Sequence, residues 1–568
     1  MNIHEELDAA HKAFEAKDAQ GAYDLLIKIL DEEPETAQAH ALMADVLIVS
    51  GKLKEALQAI HNAISLDPQA AEYHFKLGQL LRYIGRDDMA LPAFVKAVEI
   101  APNYLPAILQ LGELYLHERN PLKALDVMDS ALKHVPDHPQ LLRARAVALQ
   151  ESGQLDEALL QLSAIPASSD MGINLGQIRR EKGQISAAEE HFLQSLTHPA
   201  TAASSFRQLI DMSLAQEGKM AAIAKTKDLL ERTPAEPLFK ITAASLLCEL
   251  GDYDSTYTLI DELDRDKGPH PAWASIRAKA LLEQGHVSEV LPLLRPFSEK
   301  GALTIDMLED VMQAKLRLGD AQGTLDLIAQ IRQQAPGAPG LIAYESLALR
   351  QLGRDPGPLY DYDKFVKTYP IPVPAEYGDL ETFLAELKKS LLPYHEQDHI
   401  PMGSSARWGS QTMVNLVFAK DRVIQDYFQA LYEPLQEYMG AMEDDKDHLF
   451  YGRNTGAHRL FMAWSVQLQS GGHHANHIHL GAWISSAFYV SLPEGLGVGG
   501  EDHAGWLKFG EPPFDIEGPK GRLGPEHWVQ PSPGRLVLFP SYVWHGTEPF
   551  DGKGMRLTLP FDVVPERV

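Results

Sequence analysis

The chain has 568 residues, 45% of them hydrophobic and 23% charged, with a formal net charge of −27 and a single cysteine. That length exceeds what one core organises, so at least two domains, or one domain and a repeat array, are expected. The negative charge disfavours a nucleic-acid partner. No run of about eighteen apolar residues offers a membrane span, and the lone Cys248 excludes an internal disulfide or a thiolate-built metal cluster.

The first residues, "MNIHEELDAAHKAF", are acidic where a secretory signal needs a basic segment, so a cytoplasmic protein is expected. Prolines then fall at Pro34, Pro68, Pro102 and Pro136, at one constant interval. Small residues keep the same step: Ala44, Gly78 and Gly112; Ala56, Ala90 and Ala124; Ala63, Ala97 and Ala131. A fixed period of this kind marks stacked supersecondary units. Between these points, stretches such as "EYHFKLGQLLRYIG" carry apolar residues at three- and four-residue steps, the spacing of one helical face, so each unit is predicted as helix, turn, helix. Cys248, in "ASLLCELG", reads as a small core residue of such a helix.

These residues resemble the tetratricopeptide repeat, most closely from about Ala37 to Pro136. The phase loosens afterwards, through Pro166, Pro199, Pro234, Pro269 and Pro336, and an all-α superhelical solenoid is expected over residues 1–352. Stacked repeats build one continuous concave surface, so a peptide or protein partner is expected in the groove, with a spacer or oligomerisation arm as the plainer reading.

At "LGRDPGPLYDYDKFVKTYPIPVPAEYGD" the helical period breaks under repeated Pro and Gly, giving an expected seam at residues 353–377. A helix-sized segment, "LETFLAELKKSLLPYH", follows it. From about Arg459 the pattern becomes short, aromatic and β-branched, as in "RLFMAWSVQL", "AWISSAFYVSL", "GRLVLFPSYVW" and "MRLTLPFDVV", which predicts a β-sandwich or barrel over residues 378–568. Each side has its own apolar pattern, so the two are expected to fold separately.

"SGGHHANHIHLGAW" places His473, His474, His477 and His479 within seven residues. In a strand, residues two apart share a face, so His477 and His479 are predicted to project together while Ile478 turns into the packing. A third imidazole is available from a distant strand at His545. His473 and His474 are read as exposed or substrate-facing groups of a Gly-rich turn, outside the ligand set. Gln467, on the strand before the cluster, is a further pocket candidate.

Here "ARWGSQTMVNLVF", "NHIHLGAWISSAFYV", "GRLVLFPSYVWHGTEP" and "RLTLPFDV" resemble, in that order, the double-stranded β-helix (jelly-roll) oxygenases that use Fe(II) and 2-oxoglutarate, and more narrowly a bacterial and phage group within them, over about residues 360–564. The resemblance implies that His477 and His545 bind the metal and that Arg556 clamps the far carboxylate of 2-oxoglutarate. Thr558 shares a strand face with Arg556 and is expected to assist it. His479 stands where the wider family keeps a carboxylate, so this site is expected to offer three imidazoles in place of the two-histidine, one-carboxylate face. Fe(II) would then keep its full double charge, which a 2-oxoglutarate dianion balances. Glu501 and Asp502 are a second source of a carboxylate, lying well beyond the usual position.

The implied activity is an Fe(II)- and 2-oxoglutarate-dependent dioxygenase that consumes O₂ and hydroxylates a polypeptide positioned by the repeats, with no nucleic-acid or membrane partner. Its plan resembles the aspartyl/asparaginyl β-hydroxylases, which also join tetratricopeptide-like repeats to such a domain. Two alternatives are a three-histidine metal enzyme that does not use 2-oxoglutarate and a repeat scaffold whose oxygenase-like domain is inactive.

Overall fold

A computed structural model describes residues 3–165, 171–233, 236–332, 338–395, 400–496 and 503–566. Of the positions singled out in the sequence, Pro166, Pro234, Pro336, Glu501 and Asp502 lie outside the described residues. The chain divides into two compact units, Met1–Ala167 and Ser168–Val568.

In the first unit, helices begin at Ala37, Ala71, Leu105 and Pro139, in step with the period, and its prolines occupy the turns between helix pairs. The small residues recur because a large apolar side chain sixteen positions on fills the space above them. A Cβ on Gly78 would lie 2.6 Å from the buried Phe94 ring, and one on Gly112 would lie 2.0 Å from the terminal methyl of Met128. The turn inside each pair also repeats. Gly51, Gly85 and Gly153 have φ of 72°, 74° and 72°, a left-handed conformation that glycine adopts without a Cβ clash, and Arg119 takes the equivalent place at φ 53°.

The second unit opens with more helices. Between Gly172 and Glu217 the phase is broken by two short helices, Gly172–Glu181 and Ile185–Ser195, and a long one, Pro199–Glu217. The period then returns at its original length, with helices beginning at Pro237, Pro271, Ile305 and Pro339. Cys248 is buried in this stack, as its apolar setting implies.

Among the described residues thirteen strands follow: β1 (Lys367–Pro370), β2 (Ala406–Gln411), β3 (His458–Ala463), β4 (Val466–His474), β5 (Ile484–Ser491), β6 (Leu507–Phe509), β7 (Glu517–Gly518), β8 (Gly521–Arg522), β9 (His527–Val529), β10 (Arg535–Pro540), β11 (His545–Thr547), β12 (Arg556–Thr558) and β13 (Phe561–Pro565). The major antiparallel sheet runs β1-β10-β5-β12-β4-β2, with β13 pairing β3 and β5. A minor sheet, β11-β6-β9, is joined to the segment after β4 through an isolated antiparallel bridge between His477 and His545. This antiparallel, strand-rich region is the expected double-stranded β-helix class. Phe488, Leu536, Leu538, Phe539 and Leu559 fill its core, and the helix Leu380–Leu391 packs on it through Phe383, Leu387 and Leu391.

The composition break at 353–377 marks where the helical period stops, but packing continues across it. Leu341, Tyr344 and Leu347 of the helix Pro339–Gln351 share an apolar cluster with Ile516 and Trp544, against which Ile478 packs. Arg350 donates to the carbonyls of Gly510 and Gly524 and pairs with Glu526. The expected boundary is therefore crossed by packing: the apolar underside of the histidine segment has its cover in the last repeat helix. Among the described residues no helix is long and apolar enough to cross a membrane.

Candidate metal centre

His477, His479 and His545 come together. One ring nitrogen from each lies within 4.8 Å of the others. Two backbone hydrogen bonds tie His477 to His545, at 2.9 and 3.0 Å, and the His479 amide donates to the Ser541 carbonyl at 2.9 Å. The segment lies outside any regular strand beyond the His477 bridge, yet both imidazoles fall on one side, with ring centroids 5.0 Å apart. Ile478 points the other way, into the cluster around Trp544.

Each imidazole is held by its Nδ1. That of His477 bonds the Ala475 carbonyl at 2.8 Å and that of His545 the Val543 carbonyl at 3.0 Å. A carbonyl only accepts, so Nδ1 carries the proton and Nε2 keeps a lone pair for a metal. Burial, followed by the nearby His479, pushes the His477 imidazole down to about 3, and burial first of all holds His545 well below the usual histidine range. Both are therefore neutral near pH 7 and could take a metal without first losing a proton.

His479 differs from the other two. Its Nδ1 lies 2.7 and 2.8 Å from the two carboxylate oxygens of Asp562, and the Ser485 hydroxyl donates to Asp562 at 2.7 Å. The register of β5 and β13 sets Asp562 opposite Ser485. The carboxylate absent from position 479 is thus present one residue further out, behind the imidazole. A carboxylate there orients the ring and fixes its tautomer, so the negative charge of a two-histidine, one-carboxylate site is kept at a greater distance. Sequence reading missed Asp562. Its signal was a lone acid in the apolar strand "LPFDVV", which is costly to bury unless paired.

Arg556 and Thr558 are 2% and 4% exposed and line the same pocket as the three histidines. Arg556 donates to the Gly505 carbonyl at 3.2 Å and stacks over Tyr489 at 5.2 Å, yet its Nε has no hydrogen-bond partner and no carboxylate among the described residues pairs with it. The Tyr489 hydroxyl, also buried, is likewise without a partner among the described residues. A buried guanidinium left uncompensated is destabilising by itself and favours an anion in its place. Three imidazole donors and an unpaired buried arginine on one pocket fit a metal with an anionic co-ligand.

Gln467 does not join them, and its assignment to the pocket is corrected. In register, Arg556 opposes Leu468 and Thr558 opposes Val466, whereas Gln467 opposes Leu557, so it faces the other side of the sheet. There it lies 3.5 Å from the Ser410 hydroxyl, beside the buried His395, which bonds Ser410 and Ser465. His473 and His474 end β4 rather than forming a turn. His474 lines the pocket, with its ring 6.4 Å from that of His477, and burial holds it well below the usual range.

Residues 462–562, which contain His477, His479, His545, Arg556, Thr558 and Asp562, match the family described as "Putative 2OG-Fe(II) oxygenase". Residues 13–80, 71–104 and 109–172 match tetratricopeptide repeat families. The chain thus joins tetratricopeptide repeats to a domain of that oxygenase family. Similar solved structures include a tetratricopeptide repeat protein from Parabacteroides merdae, 13% identical, covering 49% of this chain and 98% of that one with a TM-score of 0.35. Pseudomonas aeruginosa pilF is 16% identical over 42% of this chain and 95% of its own, with a TM-score of 0.29. A Thermobaculum terrenum O-GlcNAc transferase is 24% identical over 23% of this chain and only 26% of its own, with a TM-score of 0.22. No curated protein matches the chain.

Proposed function

We propose that the protein is an Fe(II)- and 2-oxoglutarate-dependent dioxygenase of the cytoplasm that hydroxylates a polypeptide held by its repeats. The observation that carries this reading is the juxtaposition, on one pocket, of three imidazoles with a buried guanidinium that has no counter-charge among the described residues. Iron with 2-oxoglutarate and O₂ supplies oxidative decarboxylation to succinate, coupled to hydroxylation of a substrate. His477 and His545 offer Nε2 from rings fixed by backbone carbonyls, and His479 does so from a ring fixed by Asp562. Arg556 takes the far carboxylate of 2-oxoglutarate, with the Thr558 hydroxyl beside it. Tyr489 supplies the further unpaired donor. Trp464, Leu507 and Phe539 give the pocket apolar walls that keep bulk water from the reacting groups.

The test is succinate formation from 2-oxoglutarate by the anaerobically purified, iron-loaded protein after admission of O₂, with and without candidate peptides. Wild type is expected to form succinate above the protein-free rate. Arg556→Gln is expected to raise the 2-oxoglutarate requirement by about 10-fold or more, the scale of a lost charge-assisted hydrogen bond. An unchanged requirement contradicts the role given to Arg556. The all-imidazole donor set also suits zinc-hydroxide chemistry or a dioxygenase without cosubstrate. Metal-dependent turnover with no succinate would select that second reading.

A further inference from the structure

The helices of the second unit line a cavity of about 390 Å³, open to solvent on one side, outside the candidate metal centre. Its wall carries four carboxylates, Glu283, Asp306, Glu309 and Asp310, against one cation, Lys279. None of these five side chains forms an ion pair among the described residues, although the neighbouring repeat helices hold several such pairs. Asp310 Oδ2 is buried without a hydrogen-bond partner among the described residues. Burial, with Asp306 and Glu309 adding to it, pushes the Asp310 carboxyl up to about 7.

A second observation points to a ligand independently of the acidic cluster. Tyr344 also lines the cavity. It is only 5% exposed, and its hydroxyl, which makes no hydrogen bond among the described residues, is not among the atoms sealed from water, so it opens onto the cavity. Glu309 and Asp310 stand close enough to Tyr344 to hold its ionisation further above the usual range, after burial itself. The cavity therefore presents an excess of negative charge, one buried carboxylate oxygen without a partner among the described residues and a hydroxyl opening onto it, which together match a group that brings N–H donors and positive charge.

The cavity also lies beside the metal centre. The Cβ position of Gly340 is 3.4 Å from Glu309 Oε1 and 3.5 Å from a methyl of Leu480, the residue after His479. On the other side the Tyr344 ring meets Trp544, which precedes His545, edge-on at 5.8 Å. We infer that this cavity anchors a cationic side chain, lysine or arginine, of the polypeptide substrate, so that the protein selects segments with a basic residue near the modified one. The overall charge of −27 draws such segments in from solution. This inference rests on the oxygenase reading for what the anchored segment is presented to, whereas the binding itself requires no turnover.

The test uses the full-length chain with no 2-oxoglutarate added and a fluorescein-labelled (Gly-Arg)₄ peptide followed by anisotropy. Asp306→Asn combined with Glu309→Gln is expected to weaken binding at least about 10-fold. Tyr344→Phe, which keeps the ring against Trp544, is expected to weaken it a few-fold. Glu55→Gln with Asp126→Asn removes the same formal charge from exposed positions elsewhere and is expected to change binding less than about 2-fold. A (Gly-Gln)₄ peptide is expected not to bind. Equal weakening by the two double variants reduces the effect to general acidity and overturns the inference, as does binding indifferent to both. Spermidine that occupies the cavity as tightly as the peptide overturns the polypeptide assignment. Peptide binding at the cavity in a protein that forms no succinate would leave the anchor standing and contradict the oxygenase reading instead.

Discussion

The repeats of the first unit and the candidate metal centre are built on opposite principles. In the repeats the contacts that set the period are short in sequence and recur one period on: Gly78 with Phe94, Gly112 with Met128, and the His40 and His74 rings each on the carbonyl of the proline that ends the preceding repeat, at 2.8 and 3.0 Å. At the metal centre nothing repeats. His477 meets His545 across the whole stretch from β5 to β10, and His479 reaches further still, to Asp562 on the last strand. An array of local contacts distributes its stability, whereas a site assembled by long-range register depends on each strand that delivers a ligand.

The sharpest way to break this comparison is to cut the chain. A fragment of residues 360–568 loses Leu341, Tyr344 and Leu347, which cover Ile516 and Trp544 beneath the histidine segment. It is expected to be insoluble or molten, whereas residues 168–568, a compact unit, are expected to unfold cooperatively. Near-ultraviolet circular dichroism and thermal unfolding separate the two outcomes. A well-folded 360–568 fragment would mean that the last repeat helix is dispensable to the site.

A smaller effect is expected behind His479. Asp562→Asn keeps the shape of the side chain beside His479 but removes the carboxylate charge. Metal affinity measured by competition with a chelator is expected to fall about 10- to 100-fold, the usual scale for losing the acceptor behind a ligating histidine. An unchanged affinity would show that Asp562 is only a packing partner of Ser485.

The smallest effects belong to the repeats. Gly78→Ala drives a methyl into the rigid, fully buried Phe94 ring and is expected to destabilise the first unit by about 1–3 kcal/mol. Gly112→Ala meets only the end of the Met128 side chain, which can turn away, so a cost under about 1 kcal/mol is expected. Denaturant unfolding of both variants checks the order, and equal losses would mean that the side chain above the glycine does not set its requirement.

The same contrast governs what was legible in the sequence. The solenoid could be read from Pro34, Pro68, Pro102 and Pro136 because one packing rule is restated in every unit. Its phase blurred where the structure departs from the rule, in the long helix Pro199–Glu217 and its short predecessors. Of the site, the three histidines stood out because imidazoles at such spacing are rare in a core. Arg556 and Thr558 followed from the resemblance and from strand alternation. Gln467 was misplaced because alternation alone does not fix parity, and only pairing with Leu557 rather than Arg556 decides it. Asp562, Ser485 and Tyr489 escaped because their meaning lies in which strand pairs with which.

The central claim is that His477, His479 and His545, with no help from His473, constitute one metal centre. Anaerobic titration of the full-length protein with Fe(II), read as bound metal per chain, tests it most directly. The account predicts one equivalent in wild type and in His473→Ala, and loss of tight binding in His477→Ala, His479→Ala and His545→Ala. Full occupancy in His479→Ala, or a loss in His473→Ala equal to the others, would contradict it.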